Sequence, residues 1–303
     1  MKKLTVFCAA ACLAASAAAQ NHPDLHEVLD RQKGRNLIEI PKGTYTLDVR
    51  NNGPYKFHNL TDVHINGNGS TVICNNQEQA FSFYNCVRVE LRDLTIDYDP
   101  LCFTQGEITA VAEDGSWFDV RIDEGYPVTG LAANRVQFYD PQTRLLKRNS
   151  ITTYTSNYSA LKQLGHNLFR AVKNGTWSAG EQVGDLVVMD VKTDKPNAGV
   201  HTVMLNKCYN TKLENVTVYG SNTFSFFEKE GYANEYRNCV VDRGPMPQGI
   251  RPRLRSGNAD GIHSSQARKG PTVTGCKVGH NGDDCIIVCG CLLYTSPSPR
   301  DCS

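Results

Sequence analysis

The chain has 303 residues and a formal net charge of +1, from 32 Lys and Arg against 31 Asp and Glu. That length can bury a sizeable core, as one long domain or two. The balanced charge gives no basic footprint for nucleic acid and no polybasic face for an anionic membrane. Residues 1–19 read as a secretory signal: Lys2 and Lys3 precede an apolar run from Leu4 to Ala15, and Ala17-Ala18-Ala19 sets cleavage before Gln20. The apolar run is too short to span a bilayer comfortably. The mature protein is therefore expected in the periplasm or outside the cell, without membrane insertion and as a monomer.

Pro23 to Arg35 predicts a short helix, with Leu25, Val28 and Leu29 along one face and Gly34 at its end. Leu37 to Leu47 alternates like a strand, bent at Pro41 and Gly43. Short apolar pairs separated by Asn, Asp and Gly follow. Leu91-Arg-Asp-Leu-Thr-Ile96 is echoed by Leu213-Glu-Asn-Val-Thr-Val218, then by Tyr236-Arg-Asn-Cys-Val-Val241 and Val273-Thr-Gly-Cys-Lys-Val278. Asn215 to Asn238 is 23 residues, and Asn238 to Gly275 is 37, one coil plus an outward loop. Self-similarity at this period predicts a solenoid. The β-branched runs are too short, and too often broken by Gly and Asn, for helical repeats. The expected fold is all-β: a parallel β-helix whose open end the first helix covers.

The pattern lapses between about Thr104 and Val200. Runs at 107–112, 117–122, 136–139 and 186–191, with hairpin signals at Asp114-Gly115 and Asn174-Gly175, predict an antiparallel barrel or sandwich inserted between coils. The expected organisation is thus a signal (1–19), first coils with their cap (20–103), an inserted β-rich unit (104–200), and coils carrying the candidate site (201–290). Residues 291–303 break every earlier pattern and resemble translated sequencing-adapter DNA, which implies a cut near Gly290; they are left out of the fold. Of 12 Cys, eight lie outside the signal and this tail. Their spacing lacks the tight pairs of a disulfide scaffold, and the several that fall at equivalent places in the repeat are expected as small buried residues stacked in a column. Cys285-x-x-x-Cys289 lacks the partners of a metal site, and no metal or cofactor is expected.

The chemistry concentrates in 258–286. Asp260 precedes Asp283 by 23 residues and Asp284 by 24, the coil period. On neighbouring parallel strands, about 4.8 Å apart, such carboxylates stack. Two negative charges at about 5 Å repel by roughly 3 kcal/mol at an effective dielectric of 20, about two pKa units. One member should hold a proton while another stays a base, the pairing that glycosidic hydrolysis needs. Turn-forming Asp residues or a calcium site are the alternatives. Gly261 and Gly282 are expected to supply local bends or bulges. His263 is placed to contact substrate or tune a carboxylate, or simply to bond within a turn. Arg251, Arg253, Arg255, Arg268 and Lys269 could grip an acidic sugar or merely offset the carboxylates. Tyr232 and Tyr219 are the candidate sugar platforms, with Phe224, Phe226 and Phe227 read mainly as core.

The N-A-D-G-I-H and G-D-D-C-I segments resemble the N-T-D-G and G-D-D signatures of polygalacturonase-type β-helix glycosidases. Their spacing also looks like that of the α-1,3-galactosidase β-helix family. An opening helix followed by I-P-x-G-x-Y is likewise how many right-handed parallel β-helices begin. The resemblance implies a right-handed solenoid and an inverting hydrolase of galactosides or galacturonides. Asp260, Asp283 and Asp284 would be catalytic, with Asp283 as acid and the other two holding water. His263, Arg255, Arg268, Lys269 and Tyr232 would bind the oligo- or polysaccharide. Ala259 stands where polygalacturonases have Thr, and their downstream G-H-G and R-I-K elements are absent, so the resemblance gives no support for uronate specificity. A polysaccharide lyase and a non-catalytic carbohydrate-binding β-helix are the alternative functions.

Overall fold

The computed structural model describes residues 22–148, 150–191 and 200–290. The signal and the tail read from the sequence both lie outside the described residues. The fold is a parallel β-helix. Its first sheet stacks, in spatial order, Leu37–Glu39, Thr61–Cys74, Val87–Tyr98, Lys212–Val218, Glu235–Arg237 and Thr272–Thr274. Its second stacks Tyr55–His58, Phe81–Tyr84, Val203–Asn206, Phe226–Lys229, Ile262–Ser265 and Ile286–Cys289. All of these pairings are parallel. The sequence echo is a structural register: Leu213 pairs Leu91, Val216 pairs Leu94 and Val218 pairs Ile96. Tyr236 then pairs Leu213, and Val273 pairs Tyr236.

The polar residues in that echo have a backbone task. Asp93, Asn215 and Asn238 adopt φ of 56°, 53° and 51°, with Gly275 next in the column at 66°. A second column closes the other sheet, where Asn59, Asn85, Lys207, Glu230 and Gln266 all lie at φ between 53° and 56°. Left-handed backbone is disfavoured for L-residues, and Asn and Asp tolerate it best. Repeating it once per corner turns the chain at the same place in every coil. The side chains then cross-link the coils, as when Asn215 Nδ2 donates to Asp93 Oδ1 at 2.8 Å.

Inward aliphatics and aromatics fill the solenoid, with Phe57 stacked on Phe83 at 4.8 Å. Cys86 and Cys208 stack between coils, as do Cys239 and Cys276, and all are free thiols. The capping helix is shorter than the pattern predicts, spanning Leu25–Asp30 with Asp24 as its N-cap. Turns carry the chain from there to Gly34, and Leu25 and Leu29 are buried at the end of the core. A second short helix, Val49–Asn52, was not legible.

The insert runs from Phe103 to Val191 as one six-stranded antiparallel sheet with its own apolar core. It is one continuous sheet rather than two stacked ones. Two buried arginines fasten it and the loop beside it to the solenoid. Arg253 bonds both oxygens of Asp97 at 2.8 Å. Arg255, with no exposed surface, reaches Asp190 Oδ1 at 2.8 Å, the Arg135 carbonyl at 2.8 Å and Gln137 Oε1 at 2.9 Å.

Gly261 and Gly282 both lie at bends of the chain, and neither has a positive φ. They are required by space. A Cβ on Gly261 would lie 2.1 Å from Val278 Cγ1 and 2.7 Å from the Cys285 carbonyl, and one on Gly282 would lie 2.3 Å from the Asn258 carbonyl. Gly261→Ala is therefore expected to cost about 2 kcal/mol or more in urea unfolding. Gly270→Ala, where nothing lies within 4 Å, should change stability by no more than about 0.5 kcal/mol.

Candidate active site

Register places the acidic residues. Ile262 pairs Ile286, so Asp260 and Asp284 occupy equivalent positions one coil apart. The backbone confirms the alignment: Gly261 N–H donates to the Asp284 carbonyl at 3.0 Å, and Ile262 N–H to the Cys285 carbonyl at 3.0 Å. Asp260 lies in the corner before the strand, so strand alternation does not force it inward with Ile262. Continuing the register down the solenoid puts Phe224 and then His201 beneath Asp260. The corner column therefore reads His201, Phe224, Asp260, Asp284.

The environments of the carboxylates differ. Asp260 is only 4% exposed, and its Oδ2 lies 2.6 Å from His263 Nδ1. Burial is the main cause that raises its pKa above the ordinary carboxylate value; the His263 hydrogen bond opposes this, and the charges of Asp283 and Asp284 reinforce it. Asp283 and Asp284 are exposed. Asp283 Oδ2 is held at 2.5 Å by Arg135 Nη1, from the insert strand Leu131–Tyr139. Arg135 Nη1 and Gln137 Nε2 also bond the Gly282 carbonyl, at 3.3 and 3.0 Å. The insert thus fixes the turn that carries the acidic doublet. Glu228 is a further carboxyl nearby in sequence, but it lies inside the solenoid, bonded to Ser264 and Asn234, away from this surface.

Aromatic rings support the corner. Phe224 is sandwiched between His263 (4.2 Å, 16° between planes) and His201 (4.7 Å, 12°). Both faces of Phe224 are occupied, so it braces His263 rather than offering a platform to a sugar. Phe226 is fully buried in the core, while Phe227 points outward against both histidines. Burial pushes the pKa of His201 down to about 4, with the charge of His263 adding to the effect.

The residues expected to bind substrate separate into three places. His263 is at the carboxylates. Arg255 is not available to a ligand, because its guanidinium is enclosed and bonded within the protein; it fastens the insert. Arg268, Lys269 and Tyr232 cluster at the opposite end of the strand Ile262–Ser265, where Tyr232 bridges Lys269 and the Lys269 ammonium lies 5.9 Å from the Tyr232 ring centre. A four-residue strand, roughly 13 Å long, separates them from Asp260. Arg253 is likewise buried on Asp97, whereas Arg251 reaches Glu107 and Asp123 at the rim of a polar cleft of about 340 Å³. That cleft, lined by Arg121, Glu124 and Asn167 among others, contains none of the carboxylates at issue. Arg135 and His201 were missed from sequence. His201 sits one coil period before Phe224, a signal the spacing carried; Arg135 arrives through tertiary contact with the insert and had none.

No family model matches the chain, and no curated protein matches it. Among solved structures, it is similar to a candidate glycosyl hydrolase from Parabacteroides merdae, at 9% identity over 87% of this chain and 84% of that one, with a TM-score of 0.28. It is also similar to the Gp54 tailspike of Acinetobacter baumannii bacteriophage AP22, solved with A. baumannii capsular saccharide, at 11% identity over 84% of this chain and TM-score 0.24. A third is the tailspike gp49 of Pseudomonas phage LKA1, at 10% identity over 78% of this chain and TM-score 0.20. The chain spans 51% and 43% of the two tailspikes. At these scores the likenesses carry no weight for function, and the β-helix rests on the chain's own register.

His201 gives a testable pH dependence. Its folded pKa is below its ordinary value, so the unfolded chain binds the proton more tightly, and stability falls as pH drops from about 6.5 toward about 4. Between about pH 7 and about pH 4.5, the wild type should lose about 2 kcal/mol more than His201→Gln in urea unfolding. Equal losses would show that His201 titrates normally.

Proposed function

We propose that this protein is an exported glycoside hydrolase acting on galactoside or galacturonide linkages. One observation carries the reading: Asp260 and Asp284 share one register position on adjacent coils, beside Asp283, in electrically different surroundings. Asp260, whose pKa is raised, is the group suited to hold a proton and give it to the leaving oxygen. Asp284, exposed and one coil away, is suited to activate water, with Asp283 set in place by Arg135. This reverses the roles that the family resemblance implies for Asp260 and Asp283. It follows from their surroundings, since Asp283 is engaged by a guanidinium and Asp260 is nearly enclosed. Inversion at the anomeric carbon is the outcome that the resemblance implies.

The reading is tested on chromogenic α-galactosides and on pectic oligomers, by release of reducing ends. Asp260→Asn should lower kcat by about 100-fold or more, with the fold kept as judged by circular dichroism. Because the acid must be protonated, kcat should fall as pH rises through the Asp260 pKa, above the ordinary value of 3.8. Unsaturated, ultraviolet-absorbing products would mean a lyase instead. Saccharide binding that survives in the variant, with no turnover in either protein, would mean a binding module.

A further inference from the structure

The outward face of the second sheet carries a side-chain relay that ends on Asp260, the acid of the proposed hydrolysis, and begins at a thiol that the hydrolysis does not use. Ser265 pairs Cys289, so Cys289 lies on the same face as His263, diagonally across two adjacent strands. Its Sγ is 3.3 Å from His263 Nε2. The other ring nitrogen, Nδ1, is 2.6 Å from Asp260 Oδ2. Stacking on Phe224 fixes the plane of the imidazole between these two partners. A thiol, a base within its reach, and a carboxylate orienting that base form the arrangement that turns a weak nucleophile into a strong one.

We propose that Cys289 is an activated thiol, a covalent modification site for soft carbon electrophiles, with His263 as its proton acceptor and Asp260 as the positioning residue. With Asp260 ionised, the carboxylate accepts the Nδ1 proton and leaves the Nε2 lone pair facing sulfur. In reaction with a haloacetamide, the S–H bond breaks and the proton passes to Nε2. The sulfur electron pair forms the new S–C bond, and the halide leaves with the electrons of its own bond. The charged and titratable groups around the relay are Asp260, Asp283 and Asp284 at the corner, Arg135 across from Asp283, and His201 beyond Phe224. Lys229 lies two coils back, at the register position of Cys289.

The chain contains its own controls. Cys285 is also exposed, on the same coil, four residues earlier, with no His263 contact; Cys74 and Cys102 are buried. Limiting iodoacetamide at about pH 7, followed by peptide mass spectrometry, should label Cys289 about tenfold faster than Cys285. His263→Gln should bring the two rates together. Absence of label on Cys74 and Cys102 verifies that the variant is folded, and His263→Asn repeats the comparison should the Gln variant fail this check. Equal labelling of Cys289 and Cys285 in the wild type, or a preference that survives loss of His263, would overturn the assignment. The readout is alkylation rather than glycoside turnover, so its failure and that of the hydrolase reading are distinguishable.

Discussion

Two backbone hydrogen bonds, from Gly261 to Asp284 and from Ile262 to Cys285, fix the geometry of the acidic corner. They lock adjacent coils at the 24-residue register that carries Asp260 onto Asp284. Slipping that register by one residue would move the acidic side chains off their shared corner. The lock needs close approach, and close approach needs glycine. Gly261 and Gly282 admit the neighbouring coil where any Cβ would collide with it. The same residues that look like turn punctuation in the sequence therefore set the spacing of the candidate chemistry.

The corner gains asymmetry from what surrounds it. On one side the solenoid supplies a partly buried histidine–phenylalanine–histidine stack against Asp260. On the other, the insert supplies Arg135 to Asp283 and Gln137 to the Gly282 carbonyl. A buried guanidinium, Arg255, ties the two sides together through Asp190, Asn258, Gln137 and the Arg135 carbonyl. Removing one member of so buried a set leaves its partners unsatisfied, which makes the insert a structural part of the site rather than a decoration. Carboxylates that look equivalent in sequence thereby acquire different solvation and different partners, the condition for dividing acid and base roles.

The solenoid was legible because its determinants are local and periodic. One column of left-handed corners carries Asp, Asn and Gly at fixed intervals (Asp93, Asn215, Asn238, Gly275), and the aliphatic positions between them must face inward in every coil. The echo from Leu91 to Leu213 survives an insertion of about a hundred residues because both segments solve the same packing problem. Asp260, Asp283 and Asp284 were legible for the same reason. Arg255 was misread because a positive charge beside carboxylates looks the same whether it faces solvent or an internal aspartate. Lys269 and Tyr232 lie at another corner from the carboxylates, because the strand Ile262–Ser265 runs between them. Arg135 could not be found at all, since its role depends on how the insert folds back, and no spacing encodes that.

The central claim is that Asp260 and the Asp283–Asp284 doublet share one electrostatic patch. Titration of the Asp260 carboxyl by carbon-detected NMR, in the wild type and in Asp284→Asn, tests it most directly. Removing a negative charge one coil away should lower the Asp260 midpoint toward the ordinary carboxylate value, because that charge helps to raise it. A midpoint that does not move on loss of Asp284 would mean that the two side chains do not share the corner, and the proposed division of acid and base would fail with it.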